Sequence, residues 1–546
     1  MNPRIVIVGA GPTGLALACE LLRAGVACRV VDAATSRSTR SKGIAVWPRT
    51  LEILRDLGVA DAAGERGLAL RRGTLWSAGA PLTTFDLTGL RSTFGWGLVL
   101  PQPHTEELLE QRLDALGGKV ERGVRATGLD TSGERPLLTL TSPAGPEQVE
   151  ADWVVGCDGP GSLIRTAAGI SMSGEPERYG WLLADVRMDT PLPPDGVSWF
   201  LHAGAVLHAL PMPDDQWRLT MTVGEERPDP EDWPTDRVQA VLDERAPMPM
   251  RLTEILWANG FRVRQGIAGQ FRRGRVLVAG DAAHVHSPAG AQGVNAGLQD
   301  TANLGWKLAL VSTGRAEESL LDSYDAERRP AAALTVRFAN RLTKGATLPS
   351  AAARWGRDRI WSTAGRHGVI QRVVPPAIAG VAQNYPAGLT PVPAPVRMAR
   401  QVRSVAAMVA GRPVAGSRLP NVELTGPGGE RAWLWDLLPS DGSAVLAWAG
   451  RGYAWDDVDG FTALRRTVPD AVPVLVFDSP GVPADRIPPL PEWRVVADHG
   501  GRVRRLLRAG ADTALVVRPD RYLGTRGRSS TPHAIRSYFH TVGGLI

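Results

Sequence analysis

The chain has 546 residues, 43% hydrophobic and 22% charged, the proportions of an ordinary globular protein with enough apolar mass for two or three domains. No run of about 18 apolar residues could cross a bilayer, and a net charge of +6, from 62 basic and 56 acidic residues without basic blocks, argues against nucleic acid and membrane partners. Its three cysteines, Cys19, Cys28 and Cys157, form no CxxC pair and no metal-ligand spacing, which points to a reducing, cytoplasmic setting without disulfides.

The apolar start lacks a basic leader and a cleavage site, so it reads as structure and not as an export signal. Residues 4–8 predict a strand, 11–24 a helix with Leu15, Ala18 and Leu22 on one face and Gly25 at its end, and 27–31 a second strand. Strand and helix are joined by Gly9-Ala10-Gly11-Pro12-Thr13-Gly14. Gly9 permits the tight turn, Gly11 lets backbone approach a dinucleotide pyrophosphate, and Gly14 lets helix and strand pack closely. The free amides of the helix then face the phosphate. Asp32 ends the second strand, where a carboxylate can accept hydrogen bonds from an adenosine ribose.

A second helical pattern covers 43–57, after an irregular stretch at 35–41. Residues 118–157 alternate like antiparallel strands, and 180–265 predict a sheet of their own, inserted between the halves of the nucleotide domain. Alternation puts Trp217, Leu219 and Met221 on one face of that sheet and groups Val206, His208 and Leu210. A strand at 276–279 then delivers Gly280 and Asp281 to a carboxyl end, where open α/β sheets bind ligands. Gly290 and Gly293 allow backbone to approach a flat ring, and a helix begun near Gly293, Val294 and Asn295 would point its positive end at that ring. A helical stretch follows to 345. The Pro-rich stretch 375–396 predicts a linker to a C-terminal domain with strands at 444–448, 472–477 and 513–517.

The glycine motif, Asp158-Gly159 after a strand, and Gly280-Asp281 ahead of a Pro/Gly loop occur in that order, and together they resemble the FAD-dependent aromatic hydroxylases, the class A flavoprotein monooxygenases. Within that group the chain is most similar to the longer polyketide- and chlorophenol-type enzymes, strongly over 1–345 and weakly beyond. The resemblance implies an α/β fold in four parts. These are a Rossmann-like FAD-binding domain (1–75, 98–180 and 262–345), an inserted mixed or antiparallel β-sheet substrate domain (76–97 and 181–261), a helical and linker segment (346–396), and a C-terminal thioredoxin-like α/β domain (397–546). The last lacks redox cysteines and is expected to serve packing or association.

The resemblance further implies FAD contacts at Gly9, Gly11, Pro12, Thr13, Gly14, Asp32, Arg40, Gln102, Asp158, Gly280, Asp281, Pro288, Gly290, Gly293, Val294 and Asn295, with Arg165 beside Asp158 and Lys42 without a settled role. Only one dinucleotide fingerprint is present, so NADPH or NADH is expected to visit transiently. The implied cycle reduces the flavin, forms a flavin C4a-hydroperoxide with O2, and transfers oxygen to an aromatic ring beside Pro288. Trp199, His208, Leu210, Trp217, Leu219 and Met221 are the expected substrate residues; His208 could hydrogen-bond a phenol and help deprotonate it, or be an ordinary sheet histidine. His284 and His286 lack the partners of a metal site.

The expected substrate is a small aromatic molecule, with a polycyclic phenol of polyketide type foremost and small-phenol catabolism, antibiotic inactivation and Baeyer-Villiger oxygen insertion left open. A flavin halogenase is a rival, although Trp433-Leu434-Trp435 lies in the C-terminal part and lacks the following Ile-Pro of the halogenase signature. A non-catalytic flavin-binding protein and a homodimeric assembly also stay open.

Overall fold

A computed structural model describes residues 5–39, 43–288, 290–385, 413–425, 431–439, 442–449, 462, 464–466, 471–477, 492–498, 501–510 and 512–543. Arg40, Lys42 and residues 386–396 of the expected linker lie outside the described residues.

The chain begins with a β-α-β unit: strand Ile5–Val8, helix Pro12–Arg23 and strand Arg29–Asp32. The strands are short and wholly apolar at their centres because both faces of a parallel sheet are covered. Ile5–Val8 pairs in parallel with Trp153–Gly156 on one side and Arg29–Asp32 on the other. Val276–Val278 continues the sheet beyond Trp153–Gly156, and Val120–Arg122 beyond Arg29–Asp32, both in parallel. The stretch 118–157 is therefore split. Its first strand joins the parallel sheet, and only Arg125–Asp130, Leu137–Ser142 and Gly145–Glu150 form the expected antiparallel meander. Helix Gly293–Ser312 packs on helix Pro12–Arg23 so closely that a Cβ at Gly305 would lie 2.6 Å from Glu20 Cβ.

A seven-stranded mixed sheet stands over this domain, in the order Arg251–Arg264, Pro176–Asp189, Gln216–Thr222, Ala205–Met212, Gly196–His202, Arg72–Ser77, Ala80–Asp86. It reaches back to Arg72 and Pro176 and on to Arg264, so it takes in residues assigned by sequence to the nucleotide domain. Strands are bounded by hydrogen-bond pairing, which the apolar pattern does not mark.

Helices Asp322–Ala346, Ala351–Arg366 and Val369–Ile378 follow Gly293–Ser312. The last carries Pro375 and Pro376 inside it, where a linker was expected; the fixed φ of proline is compatible with a helix and costs only the missing N–H donor and local crowding. A second seven-stranded sheet forms the C-terminal part. Its apolar cluster, with Val445, Leu475, Val516 and Phe539, also takes in Trp306 and Leu320 from the N-terminal part, so the two share a core. Among the described residues no helix is long and apolar enough to cross a membrane.

Candidate active site

Three neighbouring parallel strands end side by side and bring Gly9, Asp158 and Gly280 to one edge of the sheet. Backbone bonds fix the convergence: Gly9 N–H donates to Val31 O at 2.8 Å, Cys157 N–H to Val8 O at 2.8 Å, and Ala279 N–H to Gly156 O at 3.0 Å. Gly9 has φ of +104°, and a Cβ at Gly14 would lie 1.9 Å from Gly9 O, so both positions require glycine. Gly11 differs. A Cβ there meets nothing within 4 Å, because the residue faces open space before a helix N-terminus that no side chain caps. Asp32 accepts from Ala10 N–H at 2.6 Å and Ala34 N–H at 2.8 Å, tying the glycine turn to the end of the second strand.

The two motifs that lie far apart in sequence touch at Thr13. A Cβ at Gly280, where φ is +61°, would fall 2.5 Å from Thr13 Oγ1, and one at Gly297 would fall 2.4 Å from the same atom. Helix Gly293–Ser312 likewise starts without a side-chain cap, leaving the first-turn amides of Gly293, Val294 and Asn295 outside the helical ladder. The Asn295 side chain holds backbone instead: it accepts from Trp47 N–H at 2.8 Å and donates to Ala45 O and Ala291 O, each at 2.8 Å. The Trp47 indole donates to Gly290 O at 3.1 Å, and Pro288 O accepts from Ala291 N–H at 2.9 Å, which closes the loop.

Two further residues named from sequence are engaged in the same way. Gln102 accepts from Gly43 N–H at 3.0 Å and donates to Glu106 at 2.8 Å. Asp158 takes the Ser162 hydroxyl and Ile164 N–H, capping helix Leu163–Ala167, while Arg165 donates to Ala282 O at 3.0 Å and Pro160 O at 3.1 Å. Asp281 is exposed beside that pinned carbonyl. Open Gly11 and two uncapped helix N-termini at one sheet edge fit a dinucleotide with an anionic pyrophosphate and a ring that gains negative charge on reduction.

Behind Gly280 lies a group that sequence reading missed. Asp300, fully buried, accepts from Gly280 N–H at 2.9 Å, from Arg328 Nε at 2.8 Å, and pairs with His284 Nε2 at 2.7 Å. Burial alone would raise its pKa, but the charges of His284 and Arg328 outweigh it and hold the carboxyl below its usual range. The only hint in the sequence was the charge-dense run 325–329 inside an otherwise apolar helical pattern. Among the described residues no group of three or more His, Cys, Asp or Glu side chains could hold a metal.

Register divides the expected substrate residues between the two faces of the large sheet. His208 stands opposite Trp199 and Thr220, and Leu210 opposite Arg218, so these five share a face. That face covers the loops at residues 44–47, 284–288 and 290–292: Leu210 and Trp199 pack in one cluster with Trp47 and Ala291, and Trp181 and Val206 in another with Val285. Trp217, Leu219 and Met221 lie on the opposite face, packed with Val238, Val241 and Leu242 of helix Thr235–Arg245. They therefore point away from the face that covers Trp47, Val285 and Ala291, since alternation shows which residues share a face but not which face turns inward. Beside Gln102, between the nucleotide domain and this sheet, opens a cleft of about 630 Å³ whose walls include Ser36, Arg37, Pro101, Met212 and Trp257. It contains none of the residues 9–14 or 290–295.

For His208, where a proton acceptor and an ordinary sheet histidine both stood open, the surroundings favour the second. Its ring lies 6.1 Å from that of Trp181 and 6.2 Å from that of Trp199, and burial pushes its pKa down to about 3, so it stays neutral and is too weak a base for a phenol. Below the ordinary value of 6.5 the unfolded chain binds a proton that folded His208 does not, so stability falls as pH drops from there toward about 3. Urea midpoints at pH 7 and 4.5 are expected to differ less in His208→Gln than in the parent; an unchanged difference would show that His208 is not buried as described.

The FAD binding domain family matches residues 3–339. The chain is 40% identical over 334 residues to a 6-methylpretetramide 4-monooxygenase of Streptomyces rimosus, covering 60% of this chain and 59% of that protein. It is 37% identical over 347 residues to a 12-dehydrotetracycline 5-monooxygenase/anhydrotetracycline 6-monooxygenase of Streptomyces rimosus subsp. rimosus, covering 62% of this chain and 68% of that one. Among solved structures, an anhydrotetracycline hydroxylase from Streptomyces rimosus superposes with a TM-score of 0.74 at 28% identity, covering 99% of both chains. With its glycine turn, its Gly280 turn and its two uncapped helices so arranged, this chain belongs to the FAD binding domain family, among the flavin-dependent aromatic monooxygenases.

Proposed function

We propose that the protein is an FAD-dependent monooxygenase that hydroxylates a polycyclic phenolic substrate of polyketide type, using NADPH or NADH and O2. The observation that supports this reading is the close approach of Thr13 to Gly280 and Gly297, which brings the uncapped start of helix Pro12–Arg23 against the Gly280 turn and the first turns of helix Gly293–Ser312. FAD, when bound there, accepts hydride from the nicotinamide and activates oxygen.

In this reading Gly9, Gly11, Pro12, Thr13 and Gly14 hold the pyrophosphate through backbone, and Asp32 meets the adenosine ribose with the acceptor capacity left after Ala10 and Ala34. Gly280, Asp281, Pro288, Gly290 and the amides of Gly293, Val294 and Asn295 frame the ring. Gln102, Asp158 and the Asn295 side chain act one step back, by fixing the loops they bond. Trp181, Trp199 and Leu210 exclude water above the ring, since a wet site loses its activated oxygen as peroxide. Neutral His208 and Thr220 offer hydrogen bonds to a phenol without removing its proton, and Trp257 and Met212 edge the cleft by which a flat polycycle would enter.

Relatives named for oxygenating 6-methylpretetramide and anhydrotetracycline support the polyketide reading. The C-terminal part reads as thioredoxin-like in the order Val472–Phe477, Ala444–Ala449, Thr513–Val517, Leu523–Arg528: the first pair is parallel, the next two antiparallel, and helix His533–Gly543 follows. It carries no cysteine, which favours packing over redox chemistry.

The purified protein is expected to be yellow with bound FAD, and aromatic polyketides are expected to accelerate NADPH or NADH oxidation in air and to gain one oxygen atom by mass spectrometry. Bound FAD with no turnover over a broad aromatic panel would favour a binding protein, halide-dependent product a halogenase, and ring-expanded product a Baeyer-Villiger enzyme. Pro288→Gly frees the backbone of the ring-side loop, so it should keep FAD but release several times more hydrogen peroxide per nicotinamide oxidised; unchanged coupling would remove Pro288 from the site.

A further inference from the structure

The C-terminal part inserts three arginines into carboxylates of helices Pro48–Asp56 and Asp322–Ala346. Arg518 forms a two-pronged pair with Glu327, at 2.6 and 2.9 Å, and a second with Asp520. Glu327 also receives Lys307 at 2.8 Å and Asn303 at 2.7 Å from helix Gly293–Ser312. Arg418 makes two hydrogen bonds to buried Glu52, and Arg521 pairs with Asp56 at 3.1 Å, both on helix Pro48–Asp56. The Trp435 ring lies under Arg418 at 4.9 Å and Arg521 at 5.7 Å. The void at this seam, beside Pro519 and Asp520, is about 10 Å³, near the lower limit for one water.

These contacts connect to the cofactor-side loops through few steps. Arg328, adjacent to Glu327, holds Asp300, which holds Gly280 N–H, and it also donates to Ala296 O at 3.2 Å in the second turn of the Gly293 helix. Helix Pro48–Asp56 begins at Trp47, which Asn295 and Gly290 O hold. A buried ion pair is a costly way to stabilise a fold, since apolar residues of similar volume often do as well; what it fixes is one geometry, through directional paired bonds.

We propose that the C-terminal part is a positioning unit for FAD, and that Arg518, Arg418 and Arg521 are positioning residues that hold helices Asp322–Ala346 and Pro48–Asp56, which back the flavin-side loops, in register through Glu327, Glu52 and Asp56. The proposal rests on the reading of the site as an FAD site. Without the clamp, Gly280 and the Gly293 amides keep their sequence but lose the spacing that lets both face one ligand, so FAD affinity falls before the fold is lost.

The test uses the full-length protein stripped of FAD and titrated with FAD, alongside its thermal unfolding without ligand. Arg518→Met is expected to weaken FAD binding about tenfold, within the usual range of coupling between sites, and Arg518→Lys to recover part of it. Arg521→Met, the milder variant and the one to read if Arg518→Met does not fold, is expected to weaken it about threefold. Arg272→Met breaks pairs with Glu318 and Asp322 outside the seam and should lower the unfolding temperature while leaving FAD affinity unchanged. Arg521→Met and Arg518→Lys with parental FAD affinity would reduce the clamp to a structural feature. A parent protein that binds no FAD would overturn the FAD reading itself, and the proposal with it.

Discussion

Asp300→Ala should lower stability by about 3–5 kcal/mol, the usual consequence of removing one partner of a buried charge pair. The variant leaves the Arg328 guanidinium, which is 1% exposed, facing a cavity, and it releases Gly280 N–H and His284 at once. Asp300→Asn should recover little, because an amide presents a donor to groups that are themselves donors. Urea midpoints measure the effect, and a loss under about 1 kcal/mol would mean that the network does not hold the Gly280 turn. FAD affinity should fall in parallel at temperatures where the variant is still folded.

The same network predicts how acid acts. Burial would raise the pKa of Glu327, but Arg518 and Lys307 outweigh it and hold the carboxyl down to about 2, against an ordinary 4.5. A carboxylate lowered in the folded state adds stability above its unfolded value and loses it as pH falls, here from about 4.5 through about 2. Asp300 is lowered too, so Asp300→Ala should show a shallower decline of stability with acid than the parent as pH falls below the ordinary value of 3.8.

A paired substitution at the glycine turn separates folding from ligand space. Gly14→Ala puts a methyl group 1.9 Å from Gly9 O, a backbone atom held by the sheet, so helix Pro12–Arg23 must shift. The expected cost is about 3 kcal/mol, at the upper end for overpacking, with loss of bound FAD. Gly11→Ala meets no protein atom within 4 Å and has an ordinary φ of −72°, so its stability should stay within about 0.5 kcal/mol of the parent. Its methyl occupies the space into which a pyrophosphate must come, so FAD affinity should fall at least about tenfold. Calorimetry with FAD titration checks both. If Gly11→Ala binds FAD normally, the phosphate does not lie against this turn.

Where local pattern and fold agree, the chain could be read directly. The strand at 5–8, the helix from Pro12 and the strand ending at Asp32 emerged within a residue or two, because apolar periodicity and glycine placement act over a few neighbours. The strands at 444–449, 472–477 and 513–517 were visible for the same reason. Pro375 and Pro376 misled, since proline reads as a break although a helix tolerates it at a price in hydrogen bonds. Trp217, Leu219 and Met221 do share a face as read, but it packs on helix Thr235–Arg245, a partner that the alternation could not name.

The amino-acid sequence by itself determined the chemistry of the two ligand-facing turns, since a glycine that must admit a phosphate or cross a strand is a local steric requirement. Only the tertiary structure decided that Thr13 meets Gly280, that His208 is buried neutral, and that Arg518 reaches Glu327 across 191 positions. Burial and charge pairing arise from residues far apart in the chain, and no periodicity along it records which of them will share a low-dielectric interior.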